Sequence, residues 1–221
     1  GTSSATPITS GVIALMLSAN PNLTQRDVKF ILASTASKVD PTRGVTGHPV
    51  NSNLTGHDYQ MGWITNGAGF NFHNWYGFGG VNADAAVAMA QNYNVDLGTM
   101  SESTSDSGTL ALAVPDNSAT GVSHGINIVN GKIIDAIQIE LSVDHSFIGD
   151  LGVELTSPSM TKSILMNINS GISGNGITNK ILLSNAFFGE SSAGLWTLKI
   201  VDGAAADEGT LTNWKILVYG H

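Results

Sequence analysis

The chain has 221 residues, 42% of them apolar, which is enough for one large domain or two smaller ones and carries no mark of disorder. Its net charge of −8 rests on only 9 basic residues, too few for the clustered Lys and Arg that grip nucleic-acid phosphates. With no cysteine, disulfides and thiol chemistry are excluded, and the longest apolar run, near Val12 to Leu17, is far short of a bilayer span.

Gly1-Thr2-Ser3-Ser4-Ala5-Thr6-Pro7 leads directly into Ile8, Val12, Leu15, Met16 and Ala19, whose three-to-four spacing predicts a helix over 5–19 with one buried face. Pro7 suits the opening turn of that helix, and Ser3 on the preceding turn would hold its hydroxyl at the positive helix end. The same serine also reads as a plain N-cap. After the stop at Asn20-Pro21-Asn22, Thr24 and Asp27 form a capping-box-like pair ahead of a second helix with Val28, Ile31, Leu32 and Thr35 on one face. Residues 38–80, rich in Gly, Asn, His and aromatics, show no clear period and read as long loops, with room for a short strand. Asn82 caps a predicted third helix over 82–92, and the Ser, Thr, Asp and Gly cluster at 98–108 reads as a linker. Beyond it the period becomes two, from Ile126 through Trp214, Ile216 and Val218, which predicts seven or eight short strands in an antiparallel sandwich or jelly roll.

The opening heptad resembles the Gly-Thr-Ser-x-Ala-x-Pro signature around the reactive serine of subtilisin-like proteases. The stretch from Asn20 to Val28 and the segment Tyr76-Gly77-Phe78-Gly79-Gly80-Val81-Asn82-Ala83 resemble the matching parts of kexin-like and furin-like catalytic domains. The run from Asp144 to Leu151, the turn Ser157-Pro158-Ser159-Met160-Thr161 and the segments Gly194 to Asp202 and Gly209 to Trp214 look like the P domain of proprotein convertases. Met160 stands where that family usually has glycine, and a residue with a Cβ predicts a different turn type there.

The resemblance implies an α+β chain: residues 1–97 as the helical C-terminal remnant of an α/β subtilase domain, 98–108 as linker, and 109–221 as an all-β jelly-roll or sandwich P domain. It implies Ser3 as nucleophile, a calcium-dependent serine endopeptidase, protein or peptide substrates, and a secreted or periplasmic location. Nothing ahead of Ser3 but Gly1 and Thr2 is available, so the base, the orienting acid and the side-chain oxyanion donor are expected from an upstream part of the same protease, and this chain alone is expected to be inactive. A first residue other than Met reads as a processed, truncated or autolysed product.

Of the six histidines, His48, His57, His73, His124, His145 and His221, none is assigned as base, and each is expected to be an ordinary surface or loop residue. His57-Asp58 is adjacent in sequence, but neighbours need not face one another. Asp144, Asp150, Asp202 and Asp207 read either as Ca²⁺ ligands, with the resemblance favouring them, or as turn aspartates capping their own backbone. Trp196 and Trp214 are expected in the core, and Phe70, Phe72, Trp75, Tyr76 and Phe78 at a seam between the two halves. Two other readings stand beside the protease: a non-catalytic β-sandwich binding module, and an inert autolysis fragment. Without the upstream sheet, the first two helices are expected to need another covering piece or to collapse onto the sandwich or a neighbouring copy.

Overall fold

A computed structural model describes residues 1–43 and 54–221; His48 lies outside the described residues. Local chemistry sets the helix ends. Helix α1 spans Thr2–Ala19. Helix α2, Gln25–Thr35, opens on the expected capping box, with the Thr24 hydroxyl accepting from Asp27 N–H and the Asp27 carboxylate accepting from Thr24 N–H. Helix α3, Ala83–Gln91, is capped by the Asn82 side chain, which accepts from Ala85 N–H. Strands β1 (Ile64–Thr65) and β2 (Asn71–Phe72) form a small hairpin in the loop region.

The remaining nine strands build an antiparallel sandwich. One sheet holds β3 (Ser101–Asp106), β11 (Gly209–Gly220), β6 (Ile134–His145) and β9 (Ile177–Ser184) in that order, with β4 (Leu112–Val114) also on β11. The other runs β5 (Ser118–Ile128), β10 (Gly194–Asp202), β7 (Leu151–Thr156) and β8 (Lys162–Met166). Alternation decides what each strand buries: Ile137, Ile139, Leu141 and Val143 of β6 point inward between Gln138, Glu140 and Ser142. Trp196 and Trp214 are both fully buried, and each indole N–H has an acceptor, the Ser192 carbonyl at 2.8 Å and His124 Nδ1 at 3.0 Å respectively.

Three expectations are corrected. The stretch 98–108 is no linker: residues 101–106 form β3 and pair with 215–220 of β11. An edge strand built from Ser, Thr, Glu and Asp buries little, so its pairing rests on backbone hydrogen bonds that composition does not reveal. Helix α1 starts at Thr2 rather than Ala5, so Ser3 lies within its first turn and Pro7 inside the helix. Met160 keeps the left-handed backbone at φ +65°, so the turn retains a glycine-like conformation despite the Cβ.

Candidate functional site

Ser3 sits on the exposed first turn of α1. The Gly1 carbonyl accepts from Ser4 N–H at 3.0 Å and Ala5 N–H at 3.2 Å, which leaves the amides of Thr2 and Ser3 at the positive end of the helix without intrahelical acceptors. Pro7 has no N–H to offer the Ser3 carbonyl four residues earlier. No hydrogen bond or ion pair joins the Ser3 side chain to a histidine or an acidic residue among the described residues. The serine is therefore displayed, but nothing described here can take its proton.

Around it the helical layer is half covered. Val12 and Met16 are buried against α3, yet Ile8 is 69% and Leu15 56% exposed on the stripe expected to be buried. A cleft of about 530 Å³ between α1 and α3 is lined by Leu15, Ala19, Ala83 and Val87. The helical layer reaches the sandwich through α2.

That seam is built from specific polar contacts. Arg26 of α2 donates to Asp135 Oδ2 through Nε at 3.1 Å and Nη2 at 2.7 Å, and also to the carbonyls of Gly98 and Leu97 and to His221 Nδ1. Lys29, one turn on, donates to the Asp135 carbonyl at 2.6 Å and to Asn185 Oδ1 at 2.9 Å, above the Phe188 ring. Burial pushes the Lys29 ammonium below its usual pKa, with Asp135 opposing. Phe188 is met by Phe30, Phe70 and Phe78, so part of the predicted aromatic cluster does lie at the seam. Trp75 does not: it is 56% exposed, with the Arg43 guanidinium over its ring at 4.6 Å.

The histidines depart from the surface expectation. His57, His73 and His145 are buried. His57 Nδ1 faces Glu154 Oε1 of β7 at 3.1 Å rather than its neighbour Asp58, which lies 3.7 Å from Lys162. Glycine at 152 leaves room for that ring. Hydrophobic partners of the surrounding strap, Tyr59 with Ile168 and Val201, explain why a polar loop residue is drawn under the sheet.

Of the four aspartates, Asp150 lies near enough to Asp202 and Asp207 to feel their charges. Asp144 is exposed, because strand alternation turns it outward while neighbouring His145 turns inward. Asp150 and Asp202 are buried, and Asp207 accepts from the Ser146 hydroxyl at 2.6 Å. Burial, then the nearby charges of Asp202 and Asp207, pushes the Asp150 carboxyl above the usual range, with His145 opposing. Burial also pushes Asp202 up, against the Ala204 amide and His145. His145 Nδ1 accepts from Phe147 N–H, which leaves Nε2 facing Asp202 Oδ2 at 3.3 Å. A cleft of about 630 Å³ beside this end is lined by Asp116, Asp144, His145 and Glu208. Among the described residues, no group of three or more His, Cys, Asp or Glu is placed to hold a metal ion.

Sequence reasoning missed Arg26, Lys29, Asp135, Asn66 and Glu190, all seam residues. A signal existed for two of them: of only nine Lys and Arg in the chain, Arg26 and Lys29 stand on successive turns of one amphipathic helix.

Comparison with known proteins follows the same division. Residues 1–79 match the subtilase family and residues 134–218 the proprotein convertase P-domain family. An extracellular serine protease of Aeromonas sobria is 33% identical over 229 residues, covering 92% of this chain and 36% of that protein. Furin-1 of Xenopus laevis is 30% identical, covering 100% of this chain and 26% of that protein. The crystal structure of the Aeromonas sobria serine protease with its chaperone superposes at a TM-score of 0.88 and 29% identity, over 100% of this chain and 44% of that one. The chain thus spans about a third of the length of its Aeromonas relatives.

Proposed function

Because the chain belongs to the subtilase family over residues 1–79 and carries a proprotein convertase P domain over residues 134–218, we propose that it is the C-terminal part of a subtilisin/kexin-type serine endopeptidase. In this reading Ser3 Oγ attacks the scissile carbonyl, its proton passes to a histidine encoded outside this chain, and an acyl-enzyme forms that water then hydrolyses. The Ser3 backbone amide, free at the helix end, contributes to the oxyanion site. The observation that carries the reading is the exposed Ser3 at the positive end of α1, beside an apolar helical face that this chain leaves open.

Protein or peptide substrates, a secreted or periplasmic location and an upstream catalytic partner belong to the same proposal, as does the inactivity of this chain alone. The extracellular Aeromonas relative supports the location. Calcium dependence is proposed for the whole protease on family likeness. Asp144, Asp150, Asp202 and Asp207 are its proposed ligands on that likeness, and since no group of three or more His, Cys, Asp or Glu among the described residues is placed to hold a metal ion, no step is routed through it. A free-standing binding module is disfavoured, since Phe187 and Trp196 are core residues and Phe188 is spent on the seam.

Replacing Ser3 by Ala in the protein extended upstream of Gly1 should lower kcat by about five to six orders of magnitude with the fold unchanged. Activity within about tenfold of the parent would remove Ser3 from the mechanism.

A further inference from the structure

The chain contains three Asn-Gly pairs: Asn66-Gly67, Asn130-Gly131 and Asn175-Gly176. This dipeptide modifies itself. The glycine nitrogen attacks the asparagine Cγ, a C–N bond forms, the side-chain nitrogen leaves as ammonia, and water opens the resulting imide to aspartate or isoaspartate. Glycine permits the approach because no Cβ stands in the way. Asn130 and Asn175 are exposed, whereas Asn66 is 5% exposed and lies in the seam.

There the Asn66 side chain uses its full hydrogen-bonding capacity. Nδ2 donates to the carbonyls of Ala186 at 2.9 Å and Phe188 at 2.8 Å, both on the sandwich side. Oδ1 accepts from Ala68 N–H at 3.0 Å and Phe70 N–H at 2.9 Å. The attacking atom is occupied as well: Gly67 N–H donates to Glu190 Oε1 at 2.7 Å and to the Thr161 hydroxyl at 3.2 Å, while that hydroxyl donates to the same carboxylate. Neither residue can be exchanged freely. Only an amide both donates to two carbonyls and accepts from two amides, and a Cβ on Gly67 would overlap the Ser159 side chain.

We propose that Asn66-Gly67 is a latent self-modification site, silenced while the seam is closed and reactive once it opens. Conversion replaces the two Nδ2 donors with a carboxylate facing the Ala186 and Phe188 carbonyls, next to Glu190, whose buried Oε2 already lacks a partner. The change therefore prevents re-closure and makes the loss of docking irreversible. This inference does not depend on Ser3 or on proteolysis.

The test follows ammonia loss and isoaspartate at each pair by peptide mapping of the 221-residue chain at mildly alkaline pH. Asn130 and Asn175 serve as internal clocks. In the native chain Asn66 should convert roughly tenfold more slowly than the clocks, or slower still, and in urea all three should convert at similar rates. Phe188→Ala should raise the Asn66 rate in step with hydrogen exchange at the Gly67 amide, which reports opening even in a partly unfolded variant. Asn66→Asp should show that exchange raised from the outset. Equal rates for Asn66 and the clocks in the native chain, or an unchanged Asn66 in a variant whose Gly67 amide exchanges freely, would overturn the proposal.

Discussion

The sandwich and the helical layer bury their apolar residues to very different extents. The sandwich closes a single core in which Ile139, Leu141, Leu155, Phe187, Trp196, Leu198, Trp214 and Ile216 are all fully buried. The helical layer gathers a small cluster of Val12, Met16, Ile31, Ala86 and Ala90, and leaves Ile8 and Leu15 open. A strand pair buries its inner face against the facing sheet of the same domain, so this chain alone supplies both sides. A helix from an α/β layer buries its stripe against a sheet, and here no such sheet is present among the described residues. The difference teaches that one half is complete as packing and the other is shaped for a further surface.

The strongest way to break this contrast is Trp196→Ala, which empties the centre of the sandwich. It should cost about 3–5 kcal/mol in urea unfolding, and a loss under about 1 kcal/mol would mean the core is not the stabilising unit. Next is Arg26→Ala, which leaves the largely buried Asp135 carboxylate without its guanidinium. The expected loss is about 2 kcal/mol, with the calorimetric transition splitting as the layers unfold separately. A single unshifted transition would show that the seam contributes little.

Asp150→Asn should act in the opposite direction. A carboxyl held above its usual range in the folded state costs stability at neutral pH, and that cost fades as pH falls through the folded-state value. The variant should therefore raise Tm at pH 7, and its advantage should vanish in acid below the ordinary Asp range near about 3.9. If calcium raises the Tm of the parent and not of the variant, these carboxylates hold a cation and the electrostatic account fails. The smallest effect is expected from Leu15→Glu, within about 0.5 kcal/mol here because the side chain is already exposed. In the upstream-extended protein the same change should be strongly destabilising.

The sequence made the punctuated elements readable. Thr24 with Asp27, Asn82, and the alternation through Ile137 to Val143 each act through near neighbours, so helix ends and strand faces followed from spacing alone. Strand β3 escaped because its polar residues hide a pairing made by backbone groups. Ser3 was legible as a motif, although the start of α1 at Thr2 was not, since the first turn of a helix makes few internal bonds. Asn66, Glu190 and Asp135 were invisible because their partners lie roughly a hundred residues away, and no period in the chain links them. For Asp144 the turn-like context said nothing about which face of β6 it would occupy.

The most direct test is labelling with a serine-directed fluorophosphonate followed by peptide mass mapping, on this chain and on the protein extended upstream of Gly1. The account predicts modification of Ser3 in the extended protein and none in the 221-residue chain, where no histidine or acidic side chain among the described residues is joined to the hydroxyl. Labelling of Ser3 at equal rates in both, or of a different serine in an active extended protein, would contradict it.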